Sequence, residues 1–196
     1  VAGCSATFNV QVSGNCCTSN SGVTVPSGGA LSSTIGTSLP AGTTAINGIL
    51  TINNNFSVIN RTLVFAPNVK IIVSPGAQLT IDRSRLYSCS TLMWEGIEIR
   101  PGGMLIITDT RIEDAKIAVY SDNTGGVANF RLENKVKFNR NYICVKVYNH
   151  TTGTQHPGII RSCVFDSEPS TTSTNNTGNL DSPYSTQTGQ IGVELD

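Results

Sequence analysis

Of the 196 residues only 13% are charged, and 13 Lys and Arg balance 13 Asp and Glu for a formal net charge of zero. That balance argues against a nucleic-acid binder, which needs a basic face to neutralise phosphates, and against polybasic attachment to a membrane surface. No stretch reaches the ~20 apolar residues that cross a bilayer, and the length suits one domain with a substantial core or a piece of something longer.

Residues 1–45 read as an N-terminal lead-in or capping segment. Within it ATFNVQV (6–12) alternates apolar and polar as a half-buried strand does. Ser, Gly and Pro then break the pattern as far as Thr44. Of the six cysteines, Cys4, Cys16, Cys17, Cys89, Cys144 and Cys163, none forms a CxxC pair, and His150 and His156 stand apart from them, so a zinc set is disfavoured. An exported protein with some disulfides and some buried thiols fits better. A bridge from Cys4 to Cys16 or Cys17 would pin a segment with little else to hold it, and the full connectivity stays open. The opening VAGC also looks like the end of a lipoprotein signal, but no charged or apolar region precedes it.

From about Ala45 the chain becomes a succession of short Ile-, Val- and Leu-rich runs bounded by Asn, Gly and Pro. Strands are expected at 48–52, 56–59, 62–66, 69–74, 78–82, 96–100, 104–109, 117–121, 129–133, 136–139, 143–149, 159–166 and 191–195. No stretch carries a helical period with caps. Such strands fit a sandwich, a barrel or a solenoid, and an internal repeat chooses among them. SPGAQLTIDRSRLY (74–87) and RPGGMLIITDTRIE (100–113) match over Pro-Gly, Leu, an alternating run and Arg-aliphatic, with Pro75 and Pro101 separated by 26 positions. In a parallel β-helix, coils stacked about 4.8 Å apart put equivalent positions into ladders. Leu79 then lies over Leu105, Ile81 over Ile107, Arg85 over Arg111 and Leu86 over Ile112, aliphatic residues inward and arginines outward.

The expected fold is therefore all-β, a parallel β-helix over 46–196, with weaker echoes of the repeat before and after. A turn cluster at 121–126 and a polar excursion at 167–190 interrupt the stack, the latter expected to protrude on one side. IGVELD (191–196) reads as a strand entering the stack with no cap behind it, as in a piece of a longer polypeptide.

WEGIEIRPGGMLIITDTRIEDAKIAVY (94–120) resembles the right-handed parallel β-helix repeats of secreted bacterial surface proteins, in the broad pectin-lyase-like class, a motif style also found in proteins exported by type IX secretion. The resemblance covers roughly 45–166. It implies a secreted or cell-surface location, contact with a secretion machinery, and a role in adhesion or surface binding of glycans or another cell-surface partner. Because the fold hosts lyases, hydrolases and adhesins alike, it does not choose among them.

Glycoside hydrolysis would need two carboxylates facing one groove, and Asp82 and Asp109, one residue out of register on the repeat, are candidates. Pectate-lyase-type elimination would need a basic residue beside a calcium site, for which Arg85 and Arg111 with Asp82, Asp109 and Asp114 are available. Only that reading calls for a cofactor, calcium. Against both stands an ordinary alternative in which each arginine packs its stem on the sheet and pairs with a neighbouring acid. Trp94, Tyr87 and Tyr120 are the candidate sugar-stacking rings, although the resemblance places Trp94 at the start of a coil, where it would rather plug the coil. A glycan-binding scaffold leads, with a polysaccharide lyase or glycoside hydrolase, or a secretion passenger, as alternatives.

Overall fold

The computed structural model describes residues 43–122, 124, 127, 129–148, 158–168, 180–187 and 191–195. Among the described residues every regular element is a β-strand, and each strand pairs in parallel with the third before it and the third after it. Three sheets result. The first contains β2 (Leu50–Ile52), β5 (Lys70–Val73), β8 (Trp94–Ile99), β11 (Ala115–Ser121), β14 (Ile143–Val147) and β17 (Ile191–Leu195). The second contains β3 (Phe56–Ile59), β6 (Gln78–Asp82), β9 (Met104–Thr108), β12 (Asn129–Glu133) and β15 (Gly158–Arg161). The third contains β1 (Thr43–Ile46), β4 (Thr62–Phe65), β7 (Arg85–Ser88), β10 (Arg111–Glu113), β13 (Lys137–Asn139) and β16 (Val164–Asp166). The chain visits the three sheets in turn and then begins the next coil, so the molecule is a parallel β-solenoid.

The register follows the repeat. Leu79 pairs with Leu105 and Ile81 with Ile107, Arg85 with Arg111 and Leu86 with Ile112, all four at the expected 26-residue offset. Inward positions stack as aliphatic and aromatic ladders: Phe56–Leu79–Leu105–Phe130 on the second sheet, and Leu63–Leu86–Ile112–Phe138 on the third. These side chains are almost wholly withdrawn from water. A strand of three to five residues cannot hold itself together, and these ladders supply the burial that does.

The repeated Pro-Gly dipeptides occupy the corner between the first and second sheets. Ala77 N–H donates to the Ser74 carbonyl at 3.1 Å and Gly103 N–H to the Arg100 carbonyl at 2.8 Å, while Gly76 and Gly102 have φ of 75° and 80°. Proline at the second position and a positive-φ residue at the third make these type II turns. Gly76 N–H also donates to the Gly102 carbonyl at 3.0 Å, so one turn stacks on the next.

Trp94 plugs the coil. Its ring stacks on Phe65 with centroids 4.0 Å apart, its Nε1 donates to the Glu113 carbonyl at 2.7 Å, and none of it meets solvent. Burial of the whole indole takes it out of the set of rings that could stack on a sugar. Two residues on, Gly96 has φ of 112°, and the register of β11 against β8 slips there, between Ile117 and Val119. The extra residue of that bulge brings the Ile117 carbonyl oxygen to 1.7 Å from where a Cβ on residue 96 would lie. The Trp-x-Gly spelling thus joins a plug to the only residue the bulge tolerates.

Most expected strands coincide with observed ones to within two residues. Those not foreseen are β1, β7 and β10, and the run 159–166 divides into β15 and β16 around Ser162, whose φ is 56°. All three missed strands belong to the third sheet. β7 and β10 open on arginine and have only three or four residues, so their alternation is too brief to stand out. The polar excursion also differs from expectation in part. Residues 180–187 fold back onto the corner between the third and first sheets, with Leu180 and Asp181 buried and Leu92 bridged to Ser182. The lead-in segment up to residue 42, with Cys4, Cys16 and Cys17, lies outside the described residues. No disulfide joins two described cysteines; Cys144 and Cys163 are free thiols.

Candidate functional site

The corner between the second and third sheets is where the candidate residues gather. Each coil turns there through a residue in the left-handed region: Asn60 (φ 52°), Arg83 (46°), Asp109 (42°) and Asn134 (57°) with Lys135 (69°). Backbone bonds stack these turns, Asn60 N–H reaching the Asp82 carbonyl at 2.9 Å and Asp109 N–H the Asn134 carbonyl at 2.8 Å. Inside the corner, hydroxyls close the remaining backbone groups. Ser84 N–H donates to Thr110 Oγ1 at 3.2 Å and Arg61 N–H to Ser84 Oγ at 3.1 Å. With the corner so tied, the side chains just beyond it must point outward at fixed spacing.

Those side chains form a basic ladder. Thr62, Arg85, Arg111 and Lys137 are successive partners in register. They line an open groove of about 500 Å³ together with Asn60, Arg61, Arg83, Ser84, Asp109, Thr110 and Lys135. Of its charged lining, six residues are cations and one, Asp109, is an acid. The Arg85 guanidinium also lies 4.7 Å from the Tyr87 ring centroid, a cation–π contact that holds its plane.

The acids that balance this ladder sit behind or beside it. Glu113, fully buried, accepts from Arg85 Nε at 2.5 Å and Asn139 Nδ2 at 2.9 Å, and Arg111 Nε lies 3.0 Å away. Lys137 pairs with Glu168 at 2.6 Å and Asp166 at 3.2 Å, and those partners raise its pKa, Glu168 foremost. Arg83 pairs with Asp82 at 2.8 Å. The arginines therefore do pack and pair on the sheet face, as the ordinary reading has it, and also present a donor-rich wall to solvent.

The candidate acids do not converge. Asp82 is in register with Thr108, whose hydroxyl donates to it at 2.6 Å and holds its carboxyl below the usual range. Asp109 is exposed at the groove. Asp114 belongs to the opposite end of the third sheet, buried against the Arg140 guanidinium, itself buried. Burial pushes the Asp114 pKa up to about 8 despite that partner. Asp114 is thus an interior group at the third-to-first corner and cannot act with Asp82 and Asp109 on one ligand.

Tyr120 lies on the first sheet, its hydroxyl donating to Glu98 at 3.4 Å, and burial raises its pKa. It shares no face with Tyr87 on the third sheet. Among the described residues no three His, Cys, Asp or Glu side chains gather as a metal set. Sequence reasoning passed over Lys135, Lys137, Arg61 and Arg83. The signal was present as NR (60–61), DRSR (82–85), DTR (109–111) and NKVK (134–137), one cationic turn per coil. Insertion of a residue at 134–135 hides the equivalence. No family model matches the chain, and neither does any curated protein or solved structure.

Proposed function

We propose that this chain is an extracellular or cell-surface solenoid scaffold that works by binding, and that the groove between the second and third sheets is its binding face. The observation that carries the reading is the ladder itself: Arg85 and Arg111, backed by Glu113, and then Lys137 repeat one donor group per coil along an open groove. A periodic surface suits a periodic ligand, and a glycan chain is the extended polymer a surface protein meets. Support for export comes from the resemblance to pectin-lyase-like repeats and to cargo of type IX secretion, and passage through such a machinery belongs to the same reading. Separation of Asp114 from Asp82 and Asp109 favours binding over hydrolysis or elimination. The test is a glycan and polysaccharide array probed with the full chain, with and without calcium, scored for both retention and released oligosaccharides. Retention without release is expected. Release that is lost in Asp109→Asn would overturn the reading in favour of an enzyme.

A further inference from the structure

We infer that the ligand of this groove is a linear polyanionic glycan bearing carboxylate or sulfate groups, lying along the solenoid axis across the coils that carry Arg61, Arg83, Arg85, Arg111, Lys135 and Lys137. The inference rests on the binding reading above and adds the chemical class and direction of the ligand.

Three features of the groove lead to it. Its charged lining is six cations to one acid; the acids paired with Arg83 and Lys137, namely Asp82, Asp166 and Glu168, stand at its edge, and Glu168 also lies 3.7 Å from Arg111, so it is the wall of the groove that is positive while the acids lie behind or beside it. The acid most closely tied to the two ladder arginines, Glu113, is fully buried beneath them and cannot reach a ligand in the groove. A guanidinium has five N–H donors in a planar fork, the geometry that suits an oxyanion, and two such forks stand on successive rungs of the groove.

Spacing supplies direction. Arg85, Arg111 and Lys137 are successive rungs of one parallel sheet, about 4.8 Å apart. A polymer crossing the coils meets one cation per rung, whereas a polymer running along a strand meets one rung only. Single-stranded nucleic acid would demand bases stacked on exposed rings. The aromatic ring beside the ladder, Tyr87, is already covered by the Arg85 guanidinium.

The experiment is affinity electrophoresis and calorimetry of the full chain against alginate, dextran sulfate, neutral dextran and single-stranded DNA, at about 0.05 M and about 0.5 M salt. Alginate binding alone identifies carboxylate, dextran sulfate alone identifies sulfate, and either supports the inference if it weakens at the higher salt. The triple change Arg83→Gln, Lys135→Gln and Lys137→Gln is expected to weaken polyanion binding about tenfold or more. Arg131→Gln, on the second sheet and outside the groove lining, is expected to leave binding unchanged. Since Arg83 and Lys135 are exposed turn residues, the double change Arg83→Gln with Lys135→Gln keeps the test open if the triple variant folds poorly. Polyanion binding unaffected by these changes would overturn the inference, as would DNA bound as tightly as alginate. Retention of neutral glycans, lost in the same variants, would overturn the polyanion class and leave the groove as a binding face. Failure to retain any glycan would overturn both.

Discussion

Replacing Gly96 by alanine tests the account of the coil most directly, because a second glycine provides its control. At Gly76 a Cβ would meet nothing within 4 Å, so Gly76→Ala carries only the cost of a positive φ, about 1–2 kcal/mol. At Gly96 the φ of 112° is less accessible to an L-residue, and the added methyl would fall 1.7 Å from the Ile117 carbonyl oxygen and 2.7 Å from its carbon. The obstacle is backbone inside a paired sheet, so relief requires the β11 bulge to move and its ladder bonds to β8 to lengthen. Loss of one or two such bonds, at ~1 kcal/mol each, added to a φ cost of about 1–3 kcal/mol gives about 2–5 kcal/mol. Urea denaturation followed by circular dichroism, with the slope held common to the variants, measures both changes. Gly96→Ala should lose at least about 1 kcal/mol more than Gly76→Ala. Equal losses would mean that the bulge yields freely and that its close approach to β8 is not what demands glycine.

Asp114 makes stability depend on pH. Its folded pKa, about 8, stands above the ordinary value of 3.8, so the folded state holds the extra proton between those values. Stability should therefore be greatest near pH 4, fall by up to about 1.4 kcal/mol per pH unit, and level off above pH 8. Urea midpoints across that range check it, and Asp114→Asn should flatten the slope even if it lowers stability at every pH. The described thiols Cys144 and Cys163 should differ in reach. Cys144 is buried and Cys163 only partly so, with burial raising both pKa values. Alkylation mapped by mass spectrometry should modify Cys163 first and Cys144 only on unfolding; early modification of Cys144 would contradict its placement. Leu180→Ala should loosen residues 180–187 from their corner, costing about 2–4 kcal/mol of local stability and making that segment a preferred protease site. Unchanged cleavage would mean that Leu180 does not anchor it.

Much of the solenoid was legible because stacking requires equivalent residues at equivalent positions. Leu79 and Leu105 look alike for the same reason that they touch, and a matched type II turn at Pro75 and Pro101 keeps their register. Trp94 was harder, since a ring that fills a coil and a ring that faces a ligand are spelled the same way. Its burial depends on Phe65, 29 positions earlier, and on the Glu113 carbonyl, 19 positions later. Nothing local to Glu113 marks it as an interior acid; it is the coil that folds it beneath Arg85 and Arg111.

Residue pattern alone determined the class of fold, the inward and outward faces of each long strand, and the stacking of Arg85 on Arg111. Those are local or periodic properties, set by alternation, turn chemistry and the repeat. Only the tertiary structure decided where charge collects and where it is hidden. Arg83, Lys135 and Lys137 join one groove because three coils end at the same corner, while Asp114, one residue from Glu113, turns inward to Arg140 and leaves the acids divided. The physical reason is that the sign of a surface depends on which coils lie side by side, and the pKa of a carboxyl on what covers it. Neither is a property of neighbours in sequence.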